Sequence, residues 1–412
     1  MKFNLLSTVS LAVALLGLSN AHSLSPRSGP LPYEDDTVSN ANCQRQTYSV
    51  KSTANRTEFD VEKMGVARNI NQTQITELFV NFTTGLVRND TAPFQTTYIK
   101  GMKEVTQTFQ ISGVYCEPKK GRKSETLQVL VHGIGFDGNY WNFHNEALGV
   151  KEQDYSYAYA AAEKGFSTFR YDRLGTGASE RPEDGYNVAQ APTEVGILIS
   201  IADMVKNSNK VGNRKWSKTV LIGHSYGSVQ SQALSKLRPD LADGLILTGF
   251  STYTMGLPFY LLSTVYTQAK SVFPKRLGNA PPSWLVTGTD YSGQQNFAYP
   301  YFVTEGANKL QRETEQPVTQ GSLFTIANVG GVAQSFKGPV QVVLPDKDFI
   351  FALSAGEQNG KNLAEESAKT LYPSSKNATG ILIANSGHGL AFHTVAKGAN
   401  QRILQFIKGN GF

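Results

Sequence analysis

Short apolar runs alternate with amphipathic stretches along most of the chain. The apolar runs end at glycine, proline or charged positions and cover residues 126–131, 219–222, 244–249, 338–344 and 380–384. Stretches with helical periodicity lie between or after these runs, at residues 154–163, 193–206, 228–237 and 399–408. Runs that are apolar on both faces are typical of buried parallel strands. The alternation therefore predicts an α/β fold, with a mostly parallel central sheet and helices on both faces.

The chain before residue 114 does not follow this alternation. Residues 22–37 are rich in proline, serine and glycine, a composition typical of a mobile leader. Residues 38–113 form an extension in which Val105, Phe109 and Ile111 fall on one face at a period of two, which indicates a strand. We expect strands of the extension to add to the main sheet, and its fold is otherwise left open.

The run at 219–222 leads into Gly223-His224-Ser225-Tyr226-Gly227, and a helical stretch follows. A strand, a G-x-S-x-G turn and a helix in this order hold a serine at a sharp bend with its hydroxyl free to react. The glycines are needed because a β-carbon at either position would clash with the neighbouring strand and helix. An ordinary glycine-rich turn has the same pattern, so the motif needs partner residues elsewhere.

Candidate partners follow two later strands. A serine hydroxyl becomes a nucleophile when a histidine accepts its proton and a carboxylate orients that histidine. Two carboxylates, Asp346 and Asp348, follow the run at 338–344, and His388 follows the next predicted strand. Because the carboxyl ends of parallel strands meet at one edge of a sheet, we expect these side chains to lie near Ser225.

Several other polar residues have structural interpretations. His132 and His224 flank glycines and are expected to stabilise loops, whereas His393 is expected to pack inside the last helix. Asp172 and Arg173 lie between a predicted strand and a glycine-rich loop, and we expect them to form a buried ion pair.

The run at 126–131 ends in His132-Gly133-Ile134-Gly135-Phe136. Backbone N–H groups of such a loop can face the oxyanion that develops when a carbonyl carbon is attacked. The N–H of the residue after the serine, Tyr226, is expected to act with them.

With these motifs in place, the chain from about residue 114 onward resembles the α/β-hydrolase superfamily. The resemblance rests on the H-G-x-x loop, a D-x-x-G-x-G-x-S segment beginning at Asp172, the serine turn, and a late Asp and His. It implies the α/β-hydrolase fold, with Ser225 as nucleophile, Asp348 as the acid that orients the histidine, and His388 as general base.

The resemblance has further implications. Backbone N–H groups of Tyr226 and Ile134 would form the oxyanion hole, and neither a cofactor nor a metal would be needed. Family spacing favours Asp348 over Asp346, although Pro345 stands where the family usually has glycine. Taken with the composition of the amino-terminal part, the resemblance divides the chain into a signal peptide at 1–21, a leader and extension at 22–113, a core at 114–250 and 335–412, and a helical cap at 251–334.

The cap segment is rich in aromatic residues, and two interpretations of them stand. The rings can fill the small core of the cap, or some can line an apolar pocket over Ser225 that takes a hydrophobic acyl or aromatic group. Phe259, Trp284 and Tyr301 are the candidates for the pocket.

The amino-terminal residues are typical of secretion. Lys2 precedes an apolar stretch at 11–16, and small residues lead to a cleavage site after Ala21, so we expect a signal peptide and a secreted protein without membrane insertion. N-x-S/T sequons, which are candidate glycosylation sites, occur at Asn55, Asn71, Asn81, Asn89 and Asn377.

The chain has two cysteines, Cys43 and Cys116, and an even pair in an oxidising compartment is expected to be bridged. Such a bond would tie the extension to the core. The net charge of +6 is spread over 412 residues without a nucleic-acid motif, which argues against nucleic-acid binding.

A serine at position 225, rather than an aspartate, points to acyl transfer through an acyl-enzyme. We therefore expect a serine hydrolase that cleaves small-molecule carboxylic esters, lactones or thioesters. An aminopeptidase resembling the proline iminopeptidases would need cap carboxylates to bind an α-amino group. A third alternative is a binding protein that retains the fold without catalysis.

Overall fold

The computed structural model describes residues 36–66 and 70–412. The predicted signal peptide at 1–21 and most of the predicted leader lie outside these residues. A sheet of eight strands runs through the described part of the chain, in the spatial order Ala41–Phe59, Ile99–Pro118, Ser167–Tyr171, Thr126–Val131, Lys218–His224, Gly244–Thr248, Val340–Pro345 and Ala378–Ile383. The predicted α/β-hydrolase fold, with its mostly parallel central sheet, is confirmed.

The extension supplies the two strands at one edge of this sheet and a pair of helices between them. Its elements are β1 (Ala41–Phe59), α1 (Gln72–Val87), α2 (Ala92–Tyr98) and β2 (Ile99–Pro118). The two strands pair antiparallel over their whole length, from Ala41 opposite Pro118 to Phe59 opposite Ile99. Strand β2 runs unbroken across residues 113 and 114, where the extension was predicted to end.

The first part of the core alternates strands and helices, as the hydrophobic pattern predicts. Its elements are β3 (Thr126–Val131), α3 (Glu152–Tyr155), α4 (Tyr157–Glu163), β4 (Ser167–Tyr171), α5 (Ala191–Asn207), β5 (Lys218–His224), α6 (Tyr226–Leu237) and β6 (Gly244–Thr248). The strands β3 to β6 pair in parallel, and almost every residue in them is buried. They form the centre of the molecule.

The cap between β6 and the next sheet strand contains helices and a small sheet. Its elements are α7 (Leu257–Ser263), β7 (Thr267–Gln268), α8 (Ala269–Val272), α9 (Pro274–Leu277), β8 (Trp284–Val286), α10 (Asp290–Phe297), α11 (Glu305–Glu313), β9 (Val318–Thr319) and α12 (Gln320–Phe324). The three short strands pair antiparallel in the order β7-β8-β9, so the mostly helical cap also contains a small sheet.

The second part of the core completes the sheet. Its elements are β10 (Val340–Pro345), α13 (Phe349–Ala352), β11 (Glu357–Gln358), β12 (Lys361–Asn362), α14 (Leu363–Leu371), β13 (Ala378–Ile383) and α15 (Ala396–Gly409). Strand β10 pairs in parallel with β6 and with β13. Strands β5, β10 and β13 therefore bring the serine turn and the later polar loops to the same edge of the sheet.

The extension also packs against the cap. The ring of Phe79 in α1 stacks on Tyr266 of the cap with ring centroids 5.1 Å apart, and Phe324 packs on Phe79, Phe82 and Phe94. The Gln268 side chain donates from Nε2 to the carbonyl of Ile70 at 2.8 Å. The helices of the extension are thus an additional layer over the cap.

Candidate active site

Ser225 lies at a bend between β5, which ends at His224, and α6, which begins at Tyr226. Its backbone has φ 54° and ψ −116°, a conformation that costs energy for a residue with a β-carbon. The flanking glycines make the bend possible. A β-carbon on Gly223 would come within 2.5 Å of the Gly227 carbonyl oxygen, and one on Gly227 within 2.1 Å of the Val131 oxygen.

Three side chains form a chain of hydrogen bonds at this bend. Ser225 Oγ lies 2.7 Å from His388 Nε2, and His388 Nδ1 lies 2.7 Å from Asp348 Oδ2. The ring of His388 and the carboxylate of Asp348 are buried, and Ser225 keeps a small exposed fraction. A neutral His388 that donates from Nδ1 to Asp348 leaves Nε2 free to accept the serine proton.

Of the two candidate carboxylates, the structure brings Asp348 to His388. The other oxygen of Asp348 accepts from the backbone N–H groups of Ile350 and Phe351 at 2.9 and 2.8 Å, because Asp348 caps the short helix α13. Asp346 instead accepts from the N–H of Ser386 and pairs with Lys347. It is a loop-stabilising residue.

The two candidate oxyanion donors, Ile134 and Tyr226, belong to segments that adjoin the serine. A β-carbon on Gly133 would come within 3.0 Å of Ser225 Cβ, so the Gly133–Ile134 peptide lies against the serine. Tyr226 is the first residue of α6, where backbone N–H groups have no acceptor within the helix. Within residues 36–66 and 70–412, no acceptor meets the N–H of Ile134 or Tyr226.

A comparison with known families identifies the family of this chain. A model of the alpha/beta hydrolase family matches residues 128–397, which is more than half of the chain. This chain belongs to the alpha/beta hydrolase family. The matched span contains the serine turn, Asp348, His388 and the cap.

Individual relatives of this alpha/beta hydrolase are distant. An uncharacterized protein of Mycobacterium tuberculosis (strain ATCC 25618 / H37Rv) is 28% identical over 137 residues, which are 33% of this chain and 33% of that protein. The match therefore spans a third of the length of the curated relatives.

Solved structures resemble this alpha/beta hydrolase in fold at low sequence identity. An esterase from Thermogutta terrifontis is 15% identical with a TM-score of 0.49, and the match covers 74% of this chain and 95% of that one. An epoxide hydrolase from Vigna radiata is 14% identical with a TM-score of 0.46, covering 73% and 95%. A monoacylglycerol lipase from Paleococcus ferrophilus is 15% identical with a TM-score of 0.43, covering 71% and 97%.

The other histidines near the serine of this alpha/beta hydrolase are packed into loops. His132 accepts from the N–H of Arg173 at 3.0 Å through Nε2 and donates to the Gly133 carbonyl at 2.9 Å. His224 stacks on Tyr140 with ring centroids 4.3 Å apart. Burial holds the pKa of both histidines well below the usual range, with a smaller contribution from nearby Arg173 at His132 and from His388 at His224.

His393 was expected to lie in the last helix, but it lies in the turn before that helix. Its Nε2 accepts from the N–H groups of Gly387 and Tyr299 at 2.9 and 2.8 Å, and its Nδ1 donates to the Gly389 carbonyl at 2.9 Å. The ring thus bonds to both neighbours of His388 and to the cap. It connects elements that are far apart in sequence, which no helical periodicity can indicate.

The cap covers the site through a different ring from those expected. Phe297, at the end of α10, has its ring centroid 5.9 Å from that of His388, and its carbonyl accepts from the N–H of Gly389 at 2.7 Å. Phe351 lies on the histidine as well, with centroids 5.8 Å apart. Neither was singled out from the sequence. Phe297 is one of many aromatic residues in the cap with no distinguishing pattern, and Phe351 lies in the core beyond Asp348.

The three predicted pocket residues lie elsewhere. Phe259 and Tyr301 are 51% and 88% exposed, so both side chains lie on the surface of the cap. Trp284 is buried on the core instead: its Nε1 donates to the Pro182 carbonyl at 2.7 Å, and its ring fills the space left by the missing side chain of Gly175. None of these rings contacts the ring of His388 in the described residues.

Asp172 and Arg173 do not pair with each other, contrary to expectation. Adjacent side chains at a strand end point to opposite sides. Asp172 pairs with Arg45 of the extension at 2.6 Å, and Arg173 pairs with Glu194 of α5 at 2.6 Å. Both pairs join loops near the site to other elements.

The predicted disulfide joins Cys43 to Cys116, which face each other in the β1–β2 pair. The sequons of the extension, at Asn55, Asn71, Asn81 and Asn89, are exposed. Asn377 is half-buried, and its Nδ2 donates to the side chain of Asn410 at 3.1 Å.

Two further observations concern metals and membranes. Among residues 36–66 and 70–412, no group of three or more His, Cys, Asp or Glu side chains could hold a metal ion. Over the same part of the chain, every helix is too short or too polar to cross a bilayer.

Proposed function

We propose that this alpha/beta hydrolase cleaves small-molecule carboxylic esters, lactones and thioesters among them, through an acyl-enzyme on Ser225. The observation that carries the proposal is the continuous hydrogen-bonded series from Ser225 through His388 to Asp348. A serine with this arrangement is a nucleophile at neutral pH because the proton it loses has a basic nitrogen within reach.

In the proposed reaction, His388 Nε2 takes the proton of Ser225 as Oγ attacks the carbonyl carbon of the substrate. The carbonyl oxygen becomes an oxyanion, which the N–H groups of Tyr226 and Ile134 stabilise. His388 then gives the proton to the leaving alcohol, and the C–O bond breaks. Water, activated by the same histidine, attacks the acyl carbon and releases the acid. Asp348 stays ionised and orients the ring throughout.

The ion-pair partners of the cap carboxylates favour ester cleavage over aminopeptidase activity. Asp290 and Glu315 both pair with Arg312, at 2.6 and 2.5 Å, and Glu315 also accepts from Thr287. Glu313 faces Lys309. Carboxylates that already have cationic partners are poor receptors for a substrate ammonium group. Glu305 is exposed in the first turn of α11.

The proposal also includes secretion. The apolar stretch at residues 11–16, the sequons of the extension and the disulfide are together typical of chains that enter an oxidising compartment. Amino-terminal sequencing of protein recovered from the medium of a eukaryotic host checks cleavage after Ala21. An intact amino terminus on cell-retained protein would contradict this part.

The deciding experiment is a substrate panel with the wild type and Ser225→Ala. A series of p-nitrophenyl esters, a lactone and a proline naphthylamide are compared, and the wild type is expected to turn over the esters fastest. Ser225→Ala should lower kcat by at least about 10⁴-fold. Ser271→Ala, at an exposed position of the cap, is the matched control and should keep full activity.

The same experiment separates the alternatives. Faster turnover of the naphthylamide would favour the aminopeptidase. Absence of turnover, together with no labelling of Ser225 by a fluorophosphonate, would favour a binding protein that does not catalyse. Undiminished turnover by folded Ser225→Ala would show that a different residue attacks the substrate.

A further inference from the structure

A buried ion pair contacts the two segments that carry the candidate oxyanion donors. Arg173 Nη1 is 2.6 Å from Glu194 Oε2, and the two side chains are 3% and 4% exposed. Arg173 follows β4, and Glu194 is in the first turn of α5. A buried pair of charges contributes little stability of its own unless further hydrogen bonds compensate for lost hydration, so its other contacts are informative.

The first of these contacts reaches the oxyanion loop. Arg173 Nη2 donates to the carbonyl oxygen of Gly133 at 3.2 Å. In a planar trans peptide the carbonyl and the following N–H point in opposite directions. Since the Gly133 carbonyl points at the guanidinium, the N–H of Ile134 points away from it. Arg173 therefore contacts the peptide that carries one candidate donor, on the side opposite to its N–H.

The second contact reaches the residue after the serine. The guanidinium carbon of Arg173 lies 4.7 Å from the centre of the Tyr226 ring, and the Tyr226 hydroxyl donates to Glu194 Oε1 at 3.2 Å. The Tyr226 side chain is thus held by both members of the ion pair. Its backbone N–H is the other candidate donor.

The third contact reaches the cap. Glu194 accepts from Ser322 Oγ of α12 at 3.1 Å and from Gln230 Nε2 of α6 at 3.2 Å. Oxygens of this one carboxylate therefore meet groups from the core loop, the serine helix and the cap. Such an arrangement is rigid only when every member is present.

We propose that the Arg173–Glu194 pair is the positioning unit of the oxyanion hole, which sets the directions of the Ile134 and Tyr226 N–H groups together. The inference rests on the proposed function, because it takes these N–H groups as the oxyanion donors. Donors that are fixed before the reaction stabilise the transition state more than donors that must reorient. Losing the pair should thus reduce stabilisation of the oxyanion while substrate binding is retained.

The test measures kcat, KM and the affinity for a trifluoromethyl ketone, which forms an oxyanion-bearing adduct with an active serine. Arg173→Met and Glu194→Gln should each lower kcat by about 10- to 1,000-fold with KM within a few fold of the wild type. The affinity for the ketone should fall by the same factor as kcat. Melting temperatures establish that the variants are folded at the assay temperature.

Two further variants keep the test decisive. Glu315→Gln neutralises one member of a different ion pair, Arg312–Glu315, which lies in the cap, and should leave kcat and ketone affinity within a few fold of the wild type. Tyr226→Phe deletes only the hydroxyl that meets Glu194 and should lower both quantities in parallel by a smaller factor. If the ion-pair variants do not fold, Tyr226→Phe decides.

A loss of kcat with unchanged ketone affinity, or equal losses in Glu315→Gln, would overturn the positioning role and leave ester hydrolysis intact. An inactive wild type, or an active Ser225→Ala, would instead overturn the proposed function and this inference with it. The two failures are therefore distinguishable from the wild type and Ser225→Ala alone.

Discussion

At the scale of single residues, the site is governed by steric limits and hydrogen-bond direction. Ser225 adopts a left-handed conformation that its β-carbon disfavours, and its N–H donates to the carbonyl of Thr248 at 2.8 Å. Neighbouring elements thereby compensate for local strain, as is common where a side chain must be presented for reaction.

The choice between two nearby carboxylates is testable at this scale. Asp348→Asn should lower kcat by about 10⁴-fold, because an amide that turns its NH₂ to His388 reverses the required proton arrangement on the ring. Asp346→Asn should lower kcat by no more than a few fold, since Asp346 contacts a loop N–H and Lys347. Both variants are assayed on one ester. A large loss of kcat in Asp346→Asn would show that the assignment of Asp348 as the acid is wrong.

At the scale of elements, the loop that carries His388 is joined to the cap. His393 accepts N–H groups from the loop and from Tyr299, and Thr394 donates to the carbonyl of Phe302 at 2.9 Å. An acceptor of two N–H groups must be an unprotonated nitrogen. The junction therefore depends on the neutral form of His393.

This dependence gives a prediction for stability against pH. Burial, together with the nearby His388, lowers the pKa of His393 from 6.5 to about 4, against opposing contributions from the Gly389 carbonyl and Asp348. The unfolded chain binds the proton first as pH falls, so the stabilisation is complete above pH 6.5 and is lost between 6.5 and about 4. The loss from this residue is about 3 kcal/mol.

The check is urea unfolding of the wild type and His393→Gln at several pH values in that window. Glutamine can accept and donate but does not titrate, so the variant should lose less stability on acidification, by about 3 kcal/mol. His132 and His224 are buried in both proteins and cancel in the difference. Identical pH dependence in the two proteins would contradict the prediction.

The cap gives a second prediction at the scale of elements. Phe297→Leu keeps an apolar side chain but removes the ring beside His388, and it should change the relative kcat/KM of short, long and aromatic esters by about 1–3 kcal/mol. Phe259→Ala, at an exposed position, should keep the order of the substrates. If Phe259→Ala changes the order of the substrates and Phe297→Leu does not, the exposed face of the cap, and not Phe297, contacts the substrate.

At the scale of the whole molecule, the extension, cap and core interlock. The β1–β2 pair continues the main sheet at one end, and its far end crosses α5, where Ser52 Oγ donates to the Thr193 carbonyl at 2.8 Å. Arg45 of β1 pairs with Asp172, whose carboxylate also accepts from the N–H of Gly138 at 2.9 Å. The extension is thus connected to loops beside the site.

The disulfide is the covalent part of this connection. Cys43→Ser with Cys116→Ser should lower the free energy of unfolding by about 4 kcal/mol, since the bond spans 73 residues and restricts the unfolded chain. Denaturant unfolding of the oxidised wild type and the double variant measures the difference. The wild type reduced with dithiothreitol should behave as the variant does, and two free thiols in the unreduced denatured protein would contradict the prediction.

The succession of strands and helices along the chain, the serine turn, and the late acid and histidine follow from sequence alone. Strand and helix periodicities are local, and the glycines at 223 and 227 are needed for a steric reason that acts within a few residues. The motif order along the chain is also sufficient to indicate the family. These features depend on neighbours in sequence, so a single sequence contains them.

The tertiary structure decides which distant side chains meet. It separates Asp172 from Arg173, brings Phe297 instead of Trp284 to the ring of His388, and packs the extension as a layer over the cap. Each outcome is set by packing between segments that are far apart in the chain. Aromatic and charged residues have no local periodicity that distinguishes one distant partner from another, which is why only the folded chain makes the choice.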